Sequence, residues 1–287
     1  MTGEPSRVLV MGATGMLGHA AVQVLAESFE VVGSVRDVEA ARRYSLPAQI
    51  VAFSAGDDDL DDLLERVRPD AVLNAIGLVK QLPAGQSPLS AIRLNALFPH
   101  ELAQACAAVG ARLVHVSTDC VFSGELPAPA RYCEDDVPDA RDVYGASKLL
   151  GEVLEPPGLT LRTSIIGREL ERASGLLEWF AGKGGEQVIG FANARFSGVT
   201  TRELARIVGR ILRDHPDLSG LWHVASDPID KYHLLLALRD VLGLRCEVVP
   251  RGEPVVNRAL DATRFERATG YRPASWDEML EEYRRHE

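Results

Sequence analysis

Hydrophobic and polar positions follow two recurring patterns along the first 167 residues of the chain. Short uninterrupted hydrophobic runs, typical of strands buried on both faces of a sheet, alternate with segments whose hydrophobic positions recur every three or four residues, typical of packed helices. The predicted strands are 8–11, 31–35, 50–53, 71–74, 112–117 and 160–163, and the predicted helices are 16–26, 38–44, 60–67, 88–109 and 144–154. Strands joined by helices pair in parallel through right-handed crossovers, so the pattern predicts a doubly wound parallel-sheet α/β fold.

The pattern changes after residue 167, where strands and helices no longer alternate regularly. Helices are predicted at 201–213, 231–242 and 276–287, with short strands at 221–224 and 246–249. We therefore divide the chain into a large sheet domain, residues 1–167, and a smaller C-terminal lobe, residues 168–287, some of whose segments return to the main sheet. A ligand is expected between the two parts, where clefts commonly form.

Composition narrows the classes of partner. The formal charge is −10, from 31 Lys and Arg against 41 Asp and Glu, which argues against nucleic acid because its binding proteins concentrate basic residues. Four cysteines without a CxxC pair, and no histidine at zinc-ligand spacing, predict no metal site. No hydrophobic run approaches the roughly 20 residues that span a bilayer, and the chain start lacks a signal-peptide core. We expect a cytoplasmic protein with no membrane partner.

Three glycines, Gly12, Gly15 and Gly18, lie between the first predicted strand and the first predicted helix. A dinucleotide-binding turn belongs at this place, because glycines permit a tight turn, close approach of the backbone to a pyrophosphate, and close packing of the helix. The spacing GxxGxxG therefore predicts a Rossmann fold with a bound dinucleotide. The expected cofactor contacts in this turn are Gly12, Thr14, Gly15, Met16 and Leu17.

The end of the second predicted strand bears on which dinucleotide binds. An arginine there accommodates the 2′-phosphate of NADP(H), whereas an acidic residue holds the ribose hydroxyls of NAD(H). Arg36, which Ser34 could support, favours NADP(H), and the adjacent Asp37 favours NAD(H). We expect NADP(H) over NAD(H), with NAD(H) as the open alternative.

Two further strand ends carry candidate residues. The fourth predicted strand ends at Asn74, and the two small residues Ala75 and Gly77 after it leave room for a cofactor; we expect all three to contact it. The fifth predicted strand ends in Ser117 and Thr118, where a hydroxyl can meet a substrate carbonyl. Ser117 is expected beside the cofactor.

A tyrosine and a lysine, Tyr144 and Lys148, are four residues apart and therefore share one face of the predicted helix. A phenol has an ordinary pKa near 10, and a nearby ammonium lowers that pKa by favouring the phenolate. With the hydroxyl of Thr118 in the preceding strand, the pair predicts a site for proton transfer to or from a carbonyl oxygen.

In combination, these motifs resemble the extended short-chain dehydrogenases/reductases, and within them the chain is similar to the dTDP-4-dehydrorhamnose reductase family. The matching positions are 12–18, 74–77, 95, 116–124, 144–152, 161–164 and 196–204. The resemblance implies that Tyr144 gives a proton to a carbonyl oxygen during hydride transfer. It also implies that Lys148 lowers the pKa of Tyr144 and binds the nicotinamide ribose, while Thr118 hydrogen-bonds the reacting oxygen.

The implied reaction is the NADP(H)-dependent reduction of a keto group on a nucleotide-activated 4-keto-6-deoxy sugar. The expected substrate contacts are Lys80, Thr118, Asp119, Phe122 and Arg195. Two departures from the family pattern leave the exact sugar open. Cys120 stands where a tyrosine is usual, and the substrate side differs, with Lys80 and Gln81 after the fourth strand and an uncommon form at 165–168.

Other readings of the same motifs stay open. A nucleotide-sugar epimerase or bifunctional epimerase/reductase uses the same cofactor and the same Tyr-Lys pair. A non-catalytic NADP-binding regulatory subunit needs only the glycine turn, although it can retain the other residues. A homodimer is possible if the helix 88–109 pairs with a copy of itself.

Overall fold

The computed structural model of the chain describes residues 6–79, 87–156, 158–170 and 175–285. A seven-stranded sheet of order β11-β6-β5-β4-β1-β2-β3 forms its centre, and every pairing within this sheet is parallel. The strands of the described residues are β1 (Arg7–Met11), β2 (Glu30–Val35), β3 (Gln49–Ala52), β4 (Ala71–Asn74), β5 (Arg112–Thr118), β6 (Gly158–Thr163), β7 (Ile165–Ile166), β8 (Gln187–Phe191), β9 (Ala194–Phe196), β10 (Val199–Thr200), β11 (Gly220–His223), β12 (Ile229–Asp230), β13 (Glu247–Arg251) and β14 (Val256–Arg258).

Helices join most of the strands of the main sheet. The α-helices of the described residues are α1 (Met16–Leu25), α2 (Val38–Ala41), α3 (Leu60–Val67), α4 (Pro88–Ala91), α5 (Phe98–Val109), α6 (Val143–Leu150), α7 (Leu176–Ala181), α8 (Thr201–Asp214), α9 (Lys231–Val241), α10 (Thr263–Thr269) and α11 (Trp276–Arg285). A π-helical stretch, Ile92–Leu97, joins α4 and α5 without a break into one long helix, and short 3-10 helices form at Arg42–Tyr44 and Asp119–Val121.

Strand β1 shows why the hydrophobic runs form the centre of the sheet. Its side chains alternate between two cores: Val8 and Val10 pack in one, and Leu9 and Met11 in the other. All four are fully buried. A strand covered on both faces needs hydrophobic residues at every position, which is the pattern of an interior parallel strand.

The predicted doubly wound parallel-sheet Rossmann fold is confirmed by this strand order. One predicted helix, 144–154, is too long, because α6 ends at Leu150. Gly151 follows it, and a Cβ there would collide with the carbonyl oxygen of Asn95 in the π-helical stretch. The chain therefore approaches the long helix too closely for any residue other than glycine at this turn.

The chain after residue 167 contributes to both parts of the molecule. Strand β11 pairs with β6 at the edge of the main sheet, and α8 packs against α1. Within the described ranges, three small sheets lie outside the main one, namely β7 with β10, β8 with β13, and β9 between β12 and β14. Among the described helices, none has the length and apolar character that a bilayer crossing requires.

Candidate active site

The glycine turn brings the N-terminus of α1 to the carboxyl end of β1. Helix α1 begins after Gly15, its N-terminus receives no side-chain cap, and its first turn carries no acidic residue. Gly12 has φ +80°, which favours glycine, and a Cβ at Gly18 would collide with the carbonyl oxygen of Gly12. An uncapped helix N-terminus above a turn of bare backbone fits a pyrophosphate, because the amides and the helix dipole both favour an anion.

The residues at and after the end of β2 differ in the hydrogen bonds that they form with the rest of the protein. Arg36 is exposed, and Asp37 caps α2 by accepting a hydrogen bond from Ala40 N at 3.0 Å. Ser34 is buried, and its Oγ accepts a hydrogen bond from Gly12 N at 3.3 Å. Ser34 thus supports the glycine turn, while Arg36 is left facing solvent at the strand end.

The loop after β4 is anchored by Asn95, which the π-helical stretch carries. Asn95 Oδ1 accepts from Leu78 N at 2.8 Å, and its Nδ2 donates to Leu78 O at 3.1 Å and to Ser147 Oγ at 3.2 Å. Asn95 thereby connects the backbone of Leu78, next to Gly77, with helix α6, on which Tyr144 and Lys148 lie. π-Helical turns occur frequently at functional sites.

Thr118 and Tyr144 meet where β5 ends and α6 begins. Thr118 Oγ1 accepts from Cys120 N at 3.1 Å and donates to Asp119 Oδ1 at 3.2 Å. Burial raises the pKa of Tyr144 above its ordinary value, and the Thr118 side chain is close enough to lower this pKa in part. The phenol therefore carries its proton at neutral pH, as a proton donor must.

Lys148 is buried on the same helix. Its Nζ donates to Val116 O at 2.7 Å and lies 3.4 Å from Nε2 of His115. Burial lowers the pKa of Lys148 to about 8, although the Glu152 carboxylate acts to raise it. Most of the lysine is still an ammonium at neutral pH.

His115 is a site residue that the sequence motifs did not reveal. Asn74 Nδ2 donates to its Nδ1 at 3.1 Å, because Asn74 Oδ1 already accepts from Ile76 N. Burial lowers the pKa of His115 well below its ordinary value, so the ring is neutral. A buried chain of contacts therefore runs from Asn74 through His115 to Lys148. A polar residue inside the hydrophobic run of a central strand is the signal that points to it.

The remaining candidates have different surroundings. Ser117 Oγ donates to Glu152 Oε1 at 2.7 Å, within a buried ion pair that Glu152 makes with Arg162. Phe122 is fully buried and stacks on Tyr132, with ring centroids 4.0 Å apart. Asp119 is buried beside Thr118, and burial raises its pKa.

Two predicted substrate residues remain. Arg195 lies on β9, where side chains alternate between the two faces of the small sheet, so it points away from the face of its neighbour Phe196. Lys80 falls outside the described residues. Within the described ranges, no cluster of three or more His, Cys, Asp or Glu side chains has the arrangement of a metal site.

The profile of the family described as RmlD substrate binding domain matches residues 6–286. The chain belongs to this family. A curated relative of this RmlD-family chain, the dTDP-4-dehydrorhamnose reductase of Mycobacterium tuberculosis H37Rv, is 34% identical over 159 residues. That alignment covers 53% of this chain and 46% of the relative, so the match spans about half the length of each.

Solved structures of low identity share the fold over nearly the whole chain. The Bacillus anthracis dTDP-4-dehydrorhamnose reductase in complex with NADP is 22% identical, has a TM-score of 0.78, and aligns over 98% of this chain and 99% of its own. Bordetella bronchiseptica WbmG in complex with NAD and UDP is 18% identical, with a TM-score of 0.78 over 97% of this chain and 93% of its own. At these identities the likeness establishes the fold.

Proposed function

We propose that this RmlD-family chain reduces the keto group of a nucleotide-activated 4-keto-6-deoxy sugar with NADP(H). The observation that carries the proposal is the meeting of Thr118 and Tyr144 beside a buried Lys148 at the end of β5. The glycine turn opens at the same edge of the sheet, because β1 and β5 are both parallel to β4 between them. The activity that the Mycobacterium tuberculosis relative is named for supports the proposal.

The proposed reaction separates into a hydride and a proton. The dinucleotide, when bound, supplies the hydride to the carbonyl carbon. Tyr144, protonated because burial raises its pKa, donates its proton to the carbonyl oxygen, while the Thr118 hydroxyl stabilises the negative charge that develops there. The Lys148 ammonium then favours the phenolate that remains on Tyr144.

The described residues fit a nicotinamide dinucleotide, and we propose NADP(H) over NAD(H). The amides of Met16 and Leu17 would hold the pyrophosphate, and the backbone of Gly12, Thr14 and Gly15 would line it. Asn74, Ala75, Gly77 and Ser117 would flank the rest of the cofactor. Arg36 is exposed for a 2′-phosphate, whereas Asp37 already caps α2. NADP in the Bacillus anthracis structure supports this preference, and NAD in WbmG keeps NAD(H) as the alternative.

The division of labour between the two parts of the chain is also proposed. Residues 1–167 would bind the dinucleotide and supply Thr118, Tyr144 and Lys148. Residues 168–287 would mainly bind the substrate, with β11 and α8 built into the main sheet and its helix layer. Lys80, Asp119, Phe122 and Arg195 remain the proposed substrate residues, of which Phe122 would act by shaping the site from the core.

NADPH oxidation with a panel of nucleotide-linked 4-keto-6-deoxy sugars tests the proposal. Oxidation of NADPH with formation of the corresponding alcohol is expected. Binding of NADPH without oxidation for any member of the panel would indicate a regulatory subunit instead. Interconversion of sugar epimers without net consumption of NADPH would indicate an epimerase.

We also propose a homodimer and a cytoplasmic place of action. Large apolar side chains are exposed on the long helix at Leu89, Ile92 and Leu97, and beside it at Leu150 and Leu154. Helix α6 packs on the π-helical stretch, so the two sets are neighbours. A second copy would cover this surface. The cytoplasm holds the nicotinamide cofactors and sugar nucleotides that the proposed reaction uses.

A further inference from the structure

A lysine of the C-terminal lobe reaches the proposed active site. Lys231 begins α9, and its Nζ lies 4.6 Å from the ring centroid of Phe196. Burial lowers the pKa of Lys231, while the nearby Asp119 and Cys120 act to raise it. No acceptor among the described residues forms a hydrogen bond with this ammonium. The lysine is only partly exposed, and an ammonium with no protein acceptor is free to bind an anionic ligand.

An arginine lies beside it. Arg258 is the last residue of β14, and its Nε and Nη2 donate to the carbonyl oxygens of Phe122 and Ser123 at 2.8 and 3.1 Å. These two bonds fix the guanidinium at the wall of a cleft of about 200 Å³ that Cys120 also lines. In the part of the chain that the structure describes, its Nη1 has no partner.

The small sheet brings the two cations together. Arg258 and Ile229 are both in register with Phe196 across β9, so their side chains share the face of the sheet on which the Phe196 ring and Lys231 lie. Each cation is also close enough to Asp119 to influence its pKa. Because Asp119 directly follows Thr118 in the chain, Lys231 and Arg258 lie near the hydroxyl that is proposed to act on the substrate.

The charges of this cluster do not cancel. Two cations face one carboxylate, Asp119, and within the described ranges neither cation forms a salt bridge with it. Arg258 lowers the pKa of Lys231, which shows that the two cations repel each other. Both cations are partly exposed, and an anion placed between them would offset their mutual repulsion.

The proposed substrate carries such an anion. In a nucleotide-linked sugar the diphosphate is attached across the ring from the keto carbon, a few bonds away from the atom that Thr118 and Tyr144 engage. The cofactor's own pyrophosphate belongs to the distant glycine turn. Resting on the proposed function, we propose that Lys231 and Arg258 bind the diphosphate of the nucleotide sugar. Arginine and lysine together suit phosphate oxygens, through a planar donor pair and a compact charge.

Titration calorimetry of the NADP(H)-loaded full chain tests this assignment, with dTDP, UDP, GDP and CDP and the matching monophosphates as probes. We expect Lys231→Met and Arg258→Gln each to lower the affinity for the tightest-binding diphosphate about tenfold or more, in keeping with a charged hydrogen bond. Each variant should also show a smaller preference for diphosphate over monophosphate and a weaker dependence of affinity on salt. Lys231→Arg should recover most of the affinity.

Controls separate ligand binding from structure. Lys183→Met removes a partly exposed lysine of the same lobe, ion-paired with Glu186, and should leave nucleotide affinity unchanged. If the cations serve only as counter-charges for Asp119, Lys231→Met will lower the melting temperature, Asp119→Asn will restore it, and diphosphate affinity will stay at the wild-type value. That result overturns the proposal, as does a wild-type protein that binds none of the four diphosphates.

The outcome is independent of whether the chain is a reductase. If diphosphate binding depends on Lys231 but no keto sugar is turned over, the result supports this diphosphate site and contradicts the proposed function. If keto sugars are turned over and both variants keep the wild-type diphosphate affinity, the result supports the proposed function and contradicts this site.

Discussion

The proposed reaction takes its proton from the hydroxyl of Tyr144. Tyr144→Phe removes that proton donor while leaving the ring in place, so we expect NADPH oxidation to fall by roughly 10²-fold or more. Affinity for NADPH should change little. The matched control is Tyr132→Phe, which removes a hydroxyl that accepts from Leu126 N, and it should keep turnover. Equal turnover in Tyr144→Phe and the wild type would remove Tyr144 from the mechanism.

Lys148 makes the activity depend on pH. Burial lowers the pKa of this lysine to about 8, so its ammonium is present below that pH and is lost above it. The groups facing it are the neutral His115 and the carboxylate of Glu152. Since the positive charge favours the phenolate of Tyr144, kcat/KM should fall as the pH rises through about 8. Lys148→Arg stays charged throughout, and it should shift this fall to higher pH in whatever activity it retains. A fall at the same pH in that variant would assign the titration to another group.

Arg36 determines the preference between the two cofactors in our proposal. Arg36→Ala should weaken NADPH about tenfold or more and leave NADH affinity nearly unchanged, because only NADPH carries the 2′-phosphate that the guanidinium would bind. Fluorescence titration with both cofactors measures the ratio. Arg42→Ala is the control, since Arg42 is an exposed arginine of the following turn that pairs with Glu39. An unchanged ratio in Arg36→Ala would contradict the assignment.

The turn between β1 and α1 has little room for side chains, because its backbone packs closely against helix α1. Gly18→Ala places a Cβ against the carbonyl oxygen of Gly12, so the helix must move away from the turn. We expect a loss of about 1–3 kcal/mol in the free energy of unfolding and a loss of NADPH binding. Gly182→Ala is the control, because a Cβ there meets only atoms at 3.6 Å and the backbone has φ −73°. Denaturant unfolding with and without NADPH checks both effects, and wild-type values for Gly18→Ala would contradict the close packing.

The elements that sequence patterns reveal are those whose environment is local or uniform. Strand β1 was predictable because both of its faces are buried, which demands an unbroken hydrophobic run. The end of α6 at Leu150 was not predictable from periodicity, because the cause is the close approach of Gly151 to Asn95, more than fifty residues earlier in the chain. The π-helical stretch that carries Asn95 likewise leaves no mark in the spacing of hydrophobic residues.

The difference between local and long-range causes also separates the cofactor side of the proposed site from its substrate side. The glycine turn and the Tyr144 to Lys148 spacing are local motifs, so the sequence alone indicated the cofactor side. Lys231 and Arg258 come together only because β12 and β14 both pair with β9, and chain spacing does not predict that pairing. The sequence suggests Arg195 on β9 itself as a substrate residue, and its side chain lies on the opposite face from Phe196.

The surface beside the long helix bears on assembly. Leu97 is 51% exposed and Leu150 is 65% exposed, and within a chain of net charge −10 such side chains form an unusually apolar area. If a second copy covers this surface, light scattering should give the mass of a dimer for the wild type and of a monomer for Leu97→Glu. Val137→Glu is the control, since Val137 is 83% exposed outside the two helices and should leave the dimer intact. Thermal unfolding of dilute Leu97→Glu should match that of an equally dilute wild-type sample, because the substituted side chain is already half exposed within one copy. A wild-type monomer at every concentration would show that this surface has another role.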